Sequence, residues 1–146
     1  MADVHSSETR SYNMSRIRNK DTKPEEFVRK YLFSKGFRYR KNDARLPGKP
    51  DIVLPKYKAV VFVNGCFWHG HTGCRYFVWP KNNSEFWREK IIGNIARDQK
   101  NYELLRELGW HVFVIWECEL KRSVMEKTLD SLINNIKQCL QSTTNL

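Results

Sequence analysis

An α/β sandwich around a mixed β-sheet is the fold class this chain predicts, on three observations. Short apolar runs at 51–54, 59–64 and 110–116 have the length and the β-branched, aromatic content of strands. The order helix, three strands, helix, strand, helix lets the strands at 51 and 59 pair as a hairpin, while the strand at 110 returns only after a helix. With 146 residues, 40% hydrophobic and 13% aromatic, the chain is long enough and apolar enough to bury one continuous core.

Residues 1–20 are basic and lack apolar periodicity, with Met14 and Ile17 isolated among Arg10, Arg16, Arg18 and Lys20. They predict a flexible arm preceding a single domain at 21–146. Thr22-Lys23-Pro24-Glu25 has the spacing of a capping box with proline in the first turn, so a helix should begin there. Phe27, Val28, Tyr31 and Leu32 recur at helical spacing, and Gly36 is placed to end the helix. Phe37 to Arg40 alternates as a short strand, and Asn42 to Lys49 is a loop carrying Pro47 and Gly48 into Asp51.

Asp51-Ile-Val-Leu is the second strand. Ala59-Val-Val-Phe-Val-Asn64 is apolar almost throughout, as expected of a strand covered on both faces, and delivers the chain to Gly65-Cys66. Asp51 and Asn64 should therefore lie near one another at one edge or end of the sheet. Asn82-Asn83-Ser84 offers capping choices for a long helix from Glu85 to Leu108, with Gly93 a soft point and Gly109 its end. Trp110 to Trp116 is the last strand, and Val124 to Leu140 an amphipathic helix through Leu129, Leu132, Ile133, Ile136 and Leu140.

The net charge is +10, and the first fifty residues hold thirteen Lys/Arg against six Asp/Glu. That balance favours a polyanionic partner, nucleic acid above all. No apolar stretch approaches a membrane span and the N-terminus lacks the regions of a signal peptide, so a cytoplasmic chain is expected. There, cysteines serve as thiols or metal ligands rather than disulfides.

Cys66, His71, Cys74 and Cys118 form a candidate Cys3His set, with four residues between the first two and two between the next pair. Zinc suits such a thiolate-rich, closed tetrahedral site, which orders loops rather than performing chemistry. Unrelated buried cysteines are the competing reading, and His69 could replace His71 as ligand. His71 is preferred, because His69, beside Trp68, is then left for acid or base work. Cys139 is left over as a packed thiol. Asp51, after a proline and at the start of an apolar strand, is suited to holding a hard cation, against the alternative of a strand-end aspartate.

Thr9-Arg10-Ser11, Asn13-Met14, Asp21-Thr22, Leu46-Pro47-Gly48-Lys49-Pro50-Asp51, Gly65-Cys66-Phe67-Trp68-His69, Glu85-Phe86-Trp87, Glu107-Leu108-Gly109-Trp110 and Val114-Ile115-Trp116-Glu117-Cys118 together resemble the very short patch repair endonucleases. These bacterial enzymes nick one DNA strand at thymine mispaired with guanine. The resemblance implies a restriction-endonuclease-like core and two-metal, magnesium-dependent phosphodiester hydrolysis. It makes Asp51 the principal magnesium ligand, helped by the main-chain carbonyl of Val63, and His69 a general base or water-positioning group. Glu25 would support the metal through the water around it, and Asp98 would orient His69. Without the resemblance, Glu25 reads as a capping residue and Asp98 as solvated helix surface.

Phe67, Trp68 and Trp87 match positions that the family wedges into the duplex beside the mispair, where stacking is already weak. Met14, on the arm with Ile17, would approach from the opposite groove. Core packing is expected of Phe86, Trp110 and Trp116, and Trp79 is left open. The chain departs from the best-known members in carrying Val63-Asn64 where they have Thr-His, so no acid or base role is carried over to position 64. The broader superfamily's acidic-x-Lys pair is also missing from 60–64.

Double-stranded DNA with a T:G mispair is the implied partner, with mismatch-repair proteins a further one, and one nick needs only a monomer. Two other readings remain open on residues alone: a sequence-specific restriction-like endonuclease, and a non-catalytic, zinc-containing DNA-binding module.

Overall fold

A computed structural model describes residues 23–144. The basic arm, with Met14 and Ile17, and the Thr22 end of the expected capping box lie outside the described residues. Seven principal elements follow in order: α1 (Lys23–Ser34), β1 (Arg40–Lys41), β2 (Ile52–Leu54), β3 (Ala59–Asn64), α2 (Ser84–Glu107), β4 (His111–Trp116) and α3 (Met125–Thr144). The sheet runs β1-β2-β3-β4. β1 and β2, and β2 and β3, pair antiparallel, whereas β3 and β4 pair parallel from Ala59↔His111 to Asn64↔Trp116. The mixed sheet and its hairpin are as the element order predicts.

Three layers result. Ile52, Leu54, Ala59, Val61, Val63 and Ile115 face one side, where they meet Val28 and Leu32 of α1 and Leu129, Leu132, Ile133 and Ile136 of α3. Val53, Val60 and Phe62 face the other side and meet Tyr102 and Leu105 of α2. Every residue of β3 is buried. Such a strand has no polar face to give, which is why its sequence shows no alternation.

Both helices that run into strands stop at glycine. The amide of Gly36 (φ 93°) donates to Phe33 and that of Phe37 to Leu32; Gly109 (φ 91°) and Trp110 repeat the pattern on Arg106 and Leu105. These paired bonds satisfy the last carbonyls and reverse the chain toward the sheet.

Several local expectations are corrected. The strand at 37–40 shrinks to Arg40–Lys41, because Phe37 is spent closing α1 and packing in the core. Phe27 does not share the buried face of α1 but stands 42% exposed, and Glu25 and Arg29 occupy that face with Val28 and Leu32. Gly93 does not interrupt α2. At its start, Asn83 adopts a left-handed conformation (φ 55°) and makes no side-chain cap. No helix among the described residues is long and apolar enough to cross a membrane.

Candidate active site and metal centre

The end of the sheet where β3 finishes and β2 begins gathers the chemistry. The amide of Val63 donates to Asp51 Oδ2 at 2.6 Å, which ties the carboxylate to the last turn of β3. Asp51 and Asn64 are thus near neighbours at one sheet end, as the hairpin order predicts. From the α1 layer Glu25, only 4% exposed, brings a second carboxylate against Asp51, and Arg29 stands 3.6 Å from Glu25. Burial, with the charge and hydrogen bond of Glu25, raises Asp51 to about 7, although the Val63 amide and His69 pull the other way. Glu25 therefore belongs to the inward face of its helix and not to an exposed cap.

From the α2 layer comes Asp98, whose Oδ2 lies 2.6 Å from His69 Nδ1. Asp98 is half-buried rather than the solvated surface residue that its sequence neighbours suggest. The loop after β3 is held against α2 at two points. Asn94 Nδ2 donates to the Trp68 carbonyl at 2.9 Å. Gly70 (φ 61°) packs so closely that a Cβ there would come within 2.6 Å of Ile95 and 2.8 Å of Ile91. Only glycine fits that approach, and it sets His69 over Asp98.

A cavity of about 250 Å³ opens between Asn64, His69, Asp98 and Tyr102. Asn64 is buried and its Nδ2 donates to Tyr102 Oη at 2.9 Å. Tyr102 was not among the sequence candidates. Its signal was present, since Ile91, Ile95, Asp98, Tyr102 and Leu105 fall on one stripe of α2 at alternating steps of four and three.

Cys66, His71, Cys74 and Cys118 bring one donor atom each to within 4.8 Å of all the others, a group that could hold a metal ion. A tetrahedral site with metal–sulfur bonds of about 2.3 Å has edges of about 3.8 Å, so the four donors lie within about an ångström of closure. His71, and not His69, is the imidazole of this group; it stacks flat on Trp116 at 4.0 Å and meets Cys118 Sγ at 3.5 Å. Burial pushes the Cys118 thiol up to about 12, a penalty on the thiolate that a bound cation relieves. Cys139 stays apart on α3, donating to the Asn135 carbonyl.

Phe67, Trp68 and Trp87 form a half-buried aromatic cluster beside this loop, with ring centres 5.4 to 5.7 Å apart. Phe86 departs from the expected core packing, being 59% exposed on the first turn of α2. Trp116 stacks on His71 of the cysteine–histidine group, and Trp110 packs at the rim of the α2-side core. Trp79 is an exposed ring resting on Phe77 and under Arg88.

Buried carboxylates and a carboxylate-held imidazole meeting at the end of a mixed sheet, on a chain of net charge +10, describe a nuclease-type centre. The family model described as DNA mismatch endonuclease Vsr matches residues 2–75. A protein named Type II nicking enzyme V.NmeAIP, from Neisseria meningitidis serogroup A, is 51% identical over 141 residues, which is 96% of this chain and 100% of the relative. The DNA mismatch endonuclease Vsr of Escherichia coli K12 is 46% identical over 121 residues, covering 83% and 77% of the two chains. Type II nicking enzyme V.XorIIP of Xanthomonas oryzae is 49% identical over 120 residues, covering 82% and 88%. The chain belongs to the Vsr DNA mismatch endonuclease family, and its α/β sandwich is restriction-endonuclease-like.

Proposed function

We propose that this chain nicks one DNA strand on the 5′ side of a thymine mispaired with guanine, the lesion left by deamination of 5-methylcytosine. The observation that carries the reading is the meeting of Asp51 and Glu25 with the His69–Asp98 couple at one sheet end. The family model and the name of the Escherichia coli relative support the mismatch as target.

Asp51 and the Val63 main-chain carbonyl would hold magnesium, two ions in all, with Glu25 supporting it through the water around it. The donor set fits, since Asp51 is a largely buried oxygen ligand with Glu25 beside it, and the burial and neighbouring carboxylate that disfavour its ionised form are what a bound cation would offset. Bound there, magnesium supplies stabilisation for the charge that develops on the scissile phosphate. Asp98 accepts the Nδ1 proton of His69 and so leaves Nε2 able to take a proton from the attacking water. For the Cys3His group zinc is the ion that fits, and it would fasten the loop bearing Phe67, Trp68 and His69. Phe67, Trp68 and Trp87 would enter the duplex beside the mispair, and Met14 and Ile17 would contact it from residues 1–20. The enzyme would work in the cytoplasm as a monomer, with mismatch-repair proteins as further partners.

A second reading is nicking at a fixed sequence in paired DNA, favoured by the name Type II nicking enzyme borne by several relatives. One assay separates the two. End-labelled duplexes carrying one T:G mispair or its T:A control are incubated with magnesium in several flanking sequences, with Asp51→Ala as blank. A single nick 5′ to the thymine, absent from control and blank, supports the mismatch reading. Equal nicking of both duplexes replaces it with the second. Tight binding without cleavage in any sequence refutes both.

A further inference from the structure

We propose that Tyr102 is a catalytic hydrogen-bond donor to the scissile phosphate, aimed by Asn64. Its ring packs against Phe62 with centres 5.0 Å apart, within the core on the α2 side, so the phenol has little freedom to swing. Tyr102 lines the cavity that Asn64, His69 and Asp98 also line, and its hydroxyl meets the Asn64 side chain there. A phenol oxygen carries one proton and can accept others. Here the oxygen accepts from Asn64 Nδ2, which leaves the proton of Tyr102 to be given elsewhere. Among the described residues the phenol donates to no acceptor.

A buried donor left unspent costs free energy, so a group entering the cavity that only accepts hydrogen bonds will be held there. The non-bridging oxygens of a phosphodiester are acceptors only, and they gain charge as the bond to the leaving group breaks. A preset donor at that place favours the transition state over the bound substrate. Burial pushes the Tyr102 phenol up to about 12, so it stays protonated across any working pH and serves as donor rather than base. Asn64 contributes by accepting nothing from Tyr102; an acceptor-only side chain at 64 would pull the phenolic proton out of the cavity.

This inference rests on the nuclease reading, and the test keeps the two apart. Single-turnover nicking of the preferred duplex is measured with magnesium, duplex affinity with calcium in its place, and Tm without DNA. Tyr102→Phe, which retains the ring on Phe62, is expected to slow nicking roughly tenfold to a hundredfold, with affinity and Tm close to those of the native chain. Asn64→Asp is expected to slow the native enzyme comparably, yet to add little in the Tyr102→Phe background, because both changes remove the same hydrogen bond. Native nicking rates for Tyr102→Phe, losses that simply follow affinity or Tm, or additive effects of the two substitutions each overturn the inference and leave the nuclease reading standing. Failure of the native chain to nick any duplex overturns both.

Discussion

Asp51 is expected to cost stability when no divalent cation is bound, and Asp51→Asn should reveal how much. The carboxyl rises from its ordinary 3.8 to about 7, first because it is buried and then because Glu25 faces it. Well below pH 3.8 the group is protonated in both folded and unfolded chains, and at pH 4, near the start of the range over which the unfolded carboxyl alone ionises, the substitution should still change little. As pH rises from 3.8 toward 7 the unfolded chain ionises first, so the native protein loses stability across that window, and above it the loss is complete. A shift of this size corresponds to about 4 kcal/mol at most. Asp51 is not fully buried and interacts with a second carboxylate, so about 2 kcal/mol is the working expectation, or about 4–8 °C in Tm for a chain of this length. The asparagine oxygen retains an acceptor for the Val63 amide, so the comparison isolates charge. Thermal unfolding at pH 4 and pH 8, in magnesium-free buffer without chelator so that any ion at the cysteine site is kept, measures the gap. The variant should be the more stable at pH 8 only, and saturating magnesium should close the gap by stabilising the native chain alone. A variant no more stable than native at pH 8, or more stable by the same amount at both pH values, would refute this account.

Three further outcomes are expected. Asp98→Asn, which removes the negative partner of His69 Nδ1, should lower the nicking rate about tenfold to a hundredfold with little change in duplex affinity, as gel-shift and single-turnover measurements would report. Cys118→Ser should reduce bound metal by elemental analysis and lower Tm by several degrees, with full metal content and native Tm counting against a structural ion. Leu129→Ala, in the fully buried stripe of α3, should cost about 2–5 kcal/mol in denaturant unfolding while leaving activity in native buffer intact.

Strand and helix order, the mixed sheet and the neighbourhood of Asp51 and Asn64 were legible because period and punctuation are local. β3 announced itself by having no polar face, and Gly36 and Gly109 by standing where a helix must reverse. His71 was preferred over His69 for the cysteine group because His69, beside Trp68, was then left for acid or base work, and His71 is the imidazole that lies with the three cysteines. What escaped was the facing of polar residues on helices. Glu25 and Asp98 read as a capping residue and a surface residue when each is judged beside its sequence neighbours, yet both lie on inward stripes that only packing against the sheet reveals. Tyr102 was hidden for the same reason: an aromatic residue on a buried stripe reads as core until its hydroxyl is found bonded to Asn64. Phe27 and Phe86 failed in the other direction, since apolar character alone does not choose a helix face.

Glu25 is carried by the helical layer on one side of the sheet and Asp98 by the layer on the other, with Asp51 and His69 between them. If these residues carry the hydrolysis as proposed, it would depend on both layers seating against the same strand end, and a small slippage of either would disconnect half of the machinery while most of the core remained packed. Activity should therefore behave as a vernier for the alignment of the layers, fading at denaturant concentrations below those at which circular dichroism first detects unfolding.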